Sequence, residues 1–191
     1  MPPDHLPESF RTPRLLLRKL RPDDAESIFA EYAQDPEVAR FLVWLPHQHI
    51  GQTREFLALC DAGWDRGDNL VWGITILPSE RVVGTVSARL HGYKVDVGYC
   101  LARRYWGQGI VTEALDAVVR WLRTQPGVER IWALCDAANP ASARVMEKVG
   151  MQREGVLRRW APHPNVGPEP RDCLVLSWVP GDPVPPAATQ P

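Results

Sequence analysis

A chain of 191 residues with a formal charge of −1, from 22 basic and 23 acidic side chains, suits a single domain with a sizeable core. That balance gives no global field for nucleic acid or an anionic membrane, and neither is expected as a partner. An apolar share of 45% with 24% charged residues is that of a soluble globular protein, and apolar runs such as Leu70–Leu77 are strand-sized, which excludes a spanning helix.

Pro2, Pro3 and Pro7 mark a loose N-terminal lead, residues 1–9, with no basic-then-apolar run of a signal peptide. Arg14–Leu20 reads as a strand. Pro22-Asp23-Asp24 then opens a helix to about Ala33, with proline and acids in the first turn. Thr53–Trp64 reads as a second long helix ended by Gly63 or Gly67. Leu70–Leu77 and Arg81–Leu90 are β-rich runs joined by P-S-E, a hairpin, and Lys94–Leu101 alternates as a third strand. Ile110–Arg123 carries an apolar stripe at 110, 111, 114, 115, 118 and 122, the spacing of a helix face. Ile131–Cys135 is a buried-type strand, Ala141–Val149 a short helix closed by Gly150, and Met151–Arg158 and Cys173–Val179 the last strands. From Pro180 the chain has five prolines in twelve residues and no periodicity, which predicts a disordered or extended tail over 180–191. Hairpins followed by strand–helix–strand–helix give an α/β protein with a mixed sheet, one domain over residues 10–179.

The chemistry concentrates in V-D-V-G-Y-C-L-A-R-R-Y-W-G-Q-G-I-V-T-E-A-L, residues 95–115. A strand runs into a loop with Arg104, Gly107 and Gly109, and a helix starts at once. A helix start has unpaired N–H groups and about half a positive charge, and glycines let a phosphate reach them. Ile110, Val111 and Thr112 include no acid to occupy that end. The spacing is neither a P-loop nor G-x-G-x-x-G, against a nucleoside triphosphatase or a Rossmann site. A tight strand-to-helix turn accounts for a bare G-x-G equally well. Gly98 inside a strand predicts a bulge that opens the sheet towards Ile131–Cys135, or simply packing room. Asn139 and Ser142 lie where a strand gives way to a helix; Asn139 before Pro140 is a good N-cap, and a capping asparagine can also bind an amide-containing ligand.

These segments together resemble the GNAT superfamily of acetyl-CoA-dependent N-acetyltransferases, most closely its Rim-type branch acting on ribosomal-protein N-termini. The resemblance rests on T-P-R-L-L-L-R at 12–18, D-P-E-V at 35–38, R-Y-W-G-Q-G-I-V-T-E-A at 104–114, N-P-A-S-A-R-V-M-E-K-V-G-M at 139–151 and E-G at 154–155. It implies a mixed, mostly antiparallel sheet splayed at a central bulge and flanked by helices. It implies acetyl-CoA as co-substrate, with no metal. By this likeness Arg104, Gly107, Gln108, Gly109 and Ile110 hold the CoA pyrophosphate, and main-chain groups of Tyr99, Cys100 and Leu101 hold pantetheine and the thioester carbonyl. Asn139 matches the pantetheine-binding asparagine, and Ser142 a hydroxyl residue near the sulfur. Asp96 stands where relatives often carry glutamate, a candidate base for the amine, with Glu154 and Asp172 as weaker ones. An α-amine of pKa about 8 also loses its proton largely unaided.

The expected function is transfer of an acetyl group to a primary amine, a protein N-terminus or a small molecule, in a ternary complex; the alternative is a non-catalytic acyl-CoA sensor. A monomer or homodimer is expected. Arg103, Arg144 and Lys148 are candidates for the 3′-phosphate, or plain surface charges. His47 and His49 lack a third ligand and read as loop residues, not metal. Trp44 and Trp64 read as core before substrate contacts. Cys60, Cys100, Cys135 and Cys173 are scattered with no C-x-x-C, which argues against a disulfide framework and for a reducing cytoplasm, with Cys135 a buried small residue rather than a nucleophile.

Overall fold

A computed structural model describes residues 6–186. Eight strands form one sheet: β1 (Ser9–Arg11), β2 (Leu15–Lys19), β3 (Asn69–Ile76), β4 (Val82–His91), β5 (Lys94–Leu101), β6 (Arg130–Asp136), β7 (Gln152–Pro162) and β8 (Pro170–Trp178). Their spatial order is β1-β2-β3-β4-β5-β6-β8-β7. Every pairing is antiparallel except β5 with β6. That single parallel pair requires a crossover, supplied by helix α4 (Ile110–Arg123).

Period-two alternation sends the strand side chains into two layers. Leu15, Leu17, Leu70, Trp72, Val86, Val95 and Val97 face α4 and α5 (Pro140–Lys148) in one core cluster. Ala114, Leu115, Val118, Val119 and Leu122 of α4 meet them there, fully buried, as the stripe in the sequence requires. Val71 and Val82 face the other way, towards α1 (Ala25–Ile28) and α3 (Ile50–Arg66). Helix α3 starts three residues earlier than expected and ends at Gly67, whose left-handed φ of 69° closes it. The helix expected from Pro22 is a relay: a 3₁₀ turn, α1, and a π-helical turn over Phe29–Ala33. Strand β1 and the short helix α2 (Pro36–Ala39) were not legible, being too brief to show a period.

The sheet opens in its middle. β5 and β6 pair only at Lys94↔Arg130, Val95↔Ile131 and Asp96↔Trp132. Beyond Asp96, β5 continues on β4 alone and β6 on β8 alone. The opening lies where the sequence places it, but not through the bulge expected at Gly98. The β4–β5 ladder runs without a shift from His91↔Lys94 to Gly84↔Leu101; the irregular registers are between β3 and β4, at Ile74/Thr75, and between β7 and β8, at Arg153/Gly155 and Leu157/Ala161. Gly98 supplies packing room instead, since a Cβ there would come 3.1 Å from Ser87 Oγ.

The far half is pinned at Asp136, whose side chain is 1% exposed. Its carboxylate accepts from Ala138 N (2.7 Å) and from Arg171, and meets His163 Nδ1 at 2.7 Å. Asn165, in the β7–β8 loop, donates to Ala39 O (2.8 Å) and Trp44 O (2.7 Å), so this loop reaches the helical layer. The start of the proline-rich segment also lies against the domain: Arg120 donates to Pro185 O at 2.7 Å and Gln152 to Asp182 at 2.7 Å. Residues 183–186 have no regular secondary structure, and residues 187–191 of the tail expected to be disordered or extended lie outside those described.

Burial opposes the charge on Asp136, but the bonds from Arg171, Ala138 and His163 outweigh it and hold the carboxyl down to about 2. The folded value lies below the unfolded one, so this stabilisation is complete above about pH 4 and drains away as pH falls through about 2. Asp136→Asn should therefore cost about 2 kcal/mol at pH 7. In denaturant titrations between pH 2 and 7 its gap from wild type should narrow towards the acid end; a constant gap would refute the account.

Candidate active site

The two walls of the opening are built by different elements. On the near wall, β5 runs through Tyr99, Cys100 and Leu101 with its β6-facing edge unpaired. Main-chain groups on such an edge need other partners. One is found inside the chain, since Trp106 Nε1 donates to Leu101 O at 2.7 Å. Past a short 3₁₀ turn, Arg103–Tyr105, the chain reaches Gly107 and Gly109, both at φ 74° in the left-handed region. Nothing lies within 4 Å of a Cβ placed on Gly107. Gly109 is the N-cap of α4 and has no side chain to cap it. Glycine here therefore serves the turn and also leaves the first amides of a fourteen-residue helix open to an anion.

An acid does stand in the first turn of α4, Glu113, yet it is drawn away from the helix end. Its Oε1 accepts from Thr12 Oγ1 (2.6 Å) and Arg14 N (3.2 Å), and its Oε2 from Arg14 Nε (2.7 Å). Burial would raise its pKa, but these bonds outweigh that and lower it. Arg14 Nη1 also donates to Gln108 O at 3.1 Å, and Gln108 Nε2 to Arg104 O at 2.9 Å, which fixes the glycine loop from below. The Thr12-Pro13-Arg14 segment thus shapes the loop from about a hundred residues away, a role its sequence did not reveal. Arg104 contributes through its main chain: its guanidinium pairs with Glu31, a carboxylate 3% exposed that also takes Arg81. Arg103 is likewise paired, with Asp35 at 3.1 Å.

On the far wall, β6 ends at Asp136 and turns into α5. Asn139 caps α5 by accepting from Ser142 N at 3.1 Å. Among the described residues its amide nitrogen donates to no group, so capping leaves it able to meet a ligand. The Ser142 hydroxyl lies 2.7 Å from Tyr99 Oη, and Tyr99 also donates to Ser142 O at 3.0 Å. Burial pushes the Tyr99 phenol up. It pushes the Cys135 thiol up to about 11, with the Ser142 hydroxyl pulling it part-way back. A thiol with that value is protonated at neutral pH and is no nucleophile. Beside this turn lies a cavity of about 620 Å³ lined by Asp136, Ala138, Gly167, Glu169, Arg171 and Asp172, among others.

The acids considered as bases are all engaged. Asp96 is 7% exposed; its Oδ2 accepts from Arg89 Nε at 2.7 Å and its Oδ1 meets His91 Nε2 at 2.9 Å. Glu154 is held at about 2, first by Arg130 and then by Ser177. Asp172 accepts from Arg159 N at 2.8 Å. The partners of Asp96 were within reach of the sequence. A two-residue turn at Gly92-Tyr93 pairs His91 with Lys94, and the same arithmetic sets Arg89 opposite Asp96. His47 bonds Thr53 through Nδ1 (2.8 Å), and Trp64 is core, donating to Val71 O at 3.1 Å.

The description of an acetyltransferase (GNAT) domain matches residues 14–152. The chain belongs to the GNAT acetyltransferase family. It is 31% identical over 154 residues to the uncharacterized N-acetyltransferase YoaA of Bacillus subtilis, covering 79% of this chain and 86% of that one. It is 22% identical over 153 residues to the [ribosomal protein uS5]-alanine N-acetyltransferase of Escherichia coli, covering 75% and 78%. Its fold superposes with a TM-score of 0.81 on the microcin C7 self-immunity acetyltransferase MccE, solved with acetyl-CoA and AMP, at 19% identity and 91% and 97% coverage. This GNAT chain is accordingly an acetyltransferase. Among its described residues no helix is long and apolar enough to cross a membrane.

Gly109→Glu would demand a left-handed backbone from a side chain and bring a negative charge to the start of α4. It should weaken acetyl-CoA binding at least ~10-fold, equivalent to about 1.4 kcal/mol. Calorimetry on the folded variant checks this, and unchanged affinity would reduce the loop to a turn.

Proposed function

We propose that the chain transfers the acetyl group of acetyl-CoA directly to a primary amine, a protein N-terminus or a small amine, in a ternary complex. The observation that carries this reading is the opening beyond Asp96, with an uncapped helix start on one wall and Asn139 and Ser142 on the other. The E. coli relative named for acetylating an alanine of a ribosomal protein supports a protein N-terminus as one acceptor to test.

The pyrophosphate takes the amides at Gly107, Gln108, Gly109 and Ile110, and pantetheine takes the free edge of Tyr99–Leu101 and the Asn139 amide. The amine attacks the thioester carbon, and charge grows on the carbonyl oxygen. A main-chain donor on the β5 edge, aimed at that oxygen, is worth about 3–4 kcal/mol. The Ser142 hydroxyl hydrogen-bonds the sulfur as it leaves. Direct transfer is favoured over an acyl-enzyme because desolvation raises both the Cys135 and the Cys100 thiols, away from the nucleophilic thiolate. Asp96 accepts the amine's proton only by way of water or its His91 contact, since both its oxygens are occupied.

Thiol release from acetyl-CoA, measured against peptides with free N-terminal alanine or serine and against small primary amines, tests the activity. Binding without turnover on any amine would overturn it. Ser142→Ala should keep acetyl-CoA affinity and lower kcat by roughly 10–10³-fold. Asn139→Ala should raise the KM for acetyl-CoA and lower Tm, because it loses a cap worth about 1 kcal/mol. A Ser142→Ala enzyme with normal kcat would remove the hydroxyl from the mechanism.

If Asp96 relays the proton, Asp96→Asn should lower turnover by ~10²-fold with little change in acetyl-CoA affinity. That loss should shrink as pH rises, because more amine is then already neutral. A pH-independent rate close to wild type would leave deprotonation to solvent.

A further inference from the structure

We propose that Tyr99 is a positioning residue that aims the Ser142 hydroxyl at the CoA sulfur, across the gap between β5 and α5. The proposal rests on the reading of Ser142 as the group that meets the sulfur, and the family likeness assigns Tyr99 only a main-chain role.

The geometry is specific. Tyr99 lies on β5 beyond the last β5–β6 pair, and Ser142 lies on α5, on the other side of the opening. The phenol oxygen touches both oxygens of Ser142: the carbonyl oxygen at 3.0 Å and the hydroxyl at 2.7 Å. A serine in the first turns of a helix otherwise bonds its own carbonyl three or four residues back, here Asn139 or Ala138, which directs its proton away from the cleft. A phenol at 2.7 Å competes with that arrangement. Each hydroxyl has one proton, and the Cys135 thiol is a further neighbour of Ser142 Oγ, so two kinds of arrangement matter for the cleft. When Tyr99 donates to Ser142 O, the serine proton is drawn to the phenol oxygen or the Cys135 sulfur. When Tyr99 donates to Ser142 Oγ, the serine proton is released towards the cleft.

A negative sulfur selects the second state. In the reaction the C–N bond forms and the C–S bond breaks with its electron pair going to sulfur. The proton lost from nitrogen goes to water. The CoA thiolate accepts a hydrogen bond from Ser142, which in turn accepts one from Tyr99. No proton need leave either hydroxyl, because both are weaker acids than a thiol of pKa about 8.5. Burial raises the phenol further, so it donates a bond without ionising.

The test needs no acceptor amine. The pKa of the CoA thiol bound to the protein is read from thiolate absorbance on a pH titration, with desulfo-CoA as the blank. Ser142→Ala should raise that pKa by about one unit, a tenfold change, through loss of the charged hydrogen bond. Tyr99→Phe, which keeps the ring and its packing, should raise it by half a unit or more, and the double variant should match Ser142→Ala alone. Wild-type CoA affinity in the folded Tyr99→Phe variant, with kcat reduced severalfold on an accepted amine, would agree. A wild-type thiol pKa in Tyr99→Phe beside a shifted one in Ser142→Ala overturns the inference and leaves the Ser142 reading standing. An unshifted Ser142→Ala overturns both. Equal, additive shifts in the double variant would mean that Tyr99 acts on the sulfur independently of Ser142, which also overturns it.

Discussion

Everything at the site follows from one interruption of backbone pairing. A parallel strand pair that stops after three residues leaves two facing edges whose main-chain groups must find partners. A chain that merely tolerated such a gap would pay for it in unpaired amides. Here each side of the gap carries a carboxylate fastened by several hydrogen bonds. On one side Glu113 is fastened to Thr12 and Arg14; on the other Asp136 is fastened to Arg171, His163 and the Ala138 amide. Each is a carboxylate at a strand–helix junction, held charged by donors from distant segments. The first stands in the opening turn of α4, and the second is the last residue of β6.

The two carboxylates also illustrate why an acid beside an active site need not be a base. Glu113, Asp136 and Glu154 are all lowered by donors that surround them, and Asp96 has both oxygens occupied. The hydrogen bonds of the first three are spent on architecture. An α-amine needs little help to lose its proton near neutral pH, so this division costs the proposed reaction little. The demanding step is stabilising charge on oxygen and then on sulfur, and the site is rich in donors rather than acceptors.

Local periodicity made much of the fold legible. Lys94–Leu101 and Ile110–Arg123 coincide with β5 and α4 to the residue, because alternation and an apolar stripe are properties of the segment itself. The uncapped start of α4 was equally readable from Gly109. What was not legible depends on pairs far apart in the chain. Thr12 and Arg14 acquire meaning only when Glu113 comes beside them, and Asp136 only when β8 returns with Arg171. The bulge expected at Gly98 failed for a related reason: a glycine in a strand reports missing side-chain volume, here beside Ser87, and does not say which ladder is broken. Tyr99 was read for its main chain, since nothing in one strand tells where α5 will cross it.

The opening is a slot rather than a hinge, and the core explains why. Val97 and Leu101 from the near wall and Ala133 and Cys135 from the far wall belong to one apolar cluster, closed by Ile110, Leu115 and Val118 of α4 and Ala143 and Met146 of α5. Bringing the strands together would require these helices to leave a packed layer, and spreading them would open voids in it. Backbone pairing is therefore broken where Val97, Leu101, Ala133 and Cys135 still anchor both walls in the core. A ligand entering such a slot meets donors already fixed in place and orders little of the protein, so binding energy is not consumed in building the site. The same rigidity makes orientation within the slot matter. A hydroxyl that can point two ways is then the remaining degree of freedom, and Tyr99 and Ser142 hold it between them across the gap.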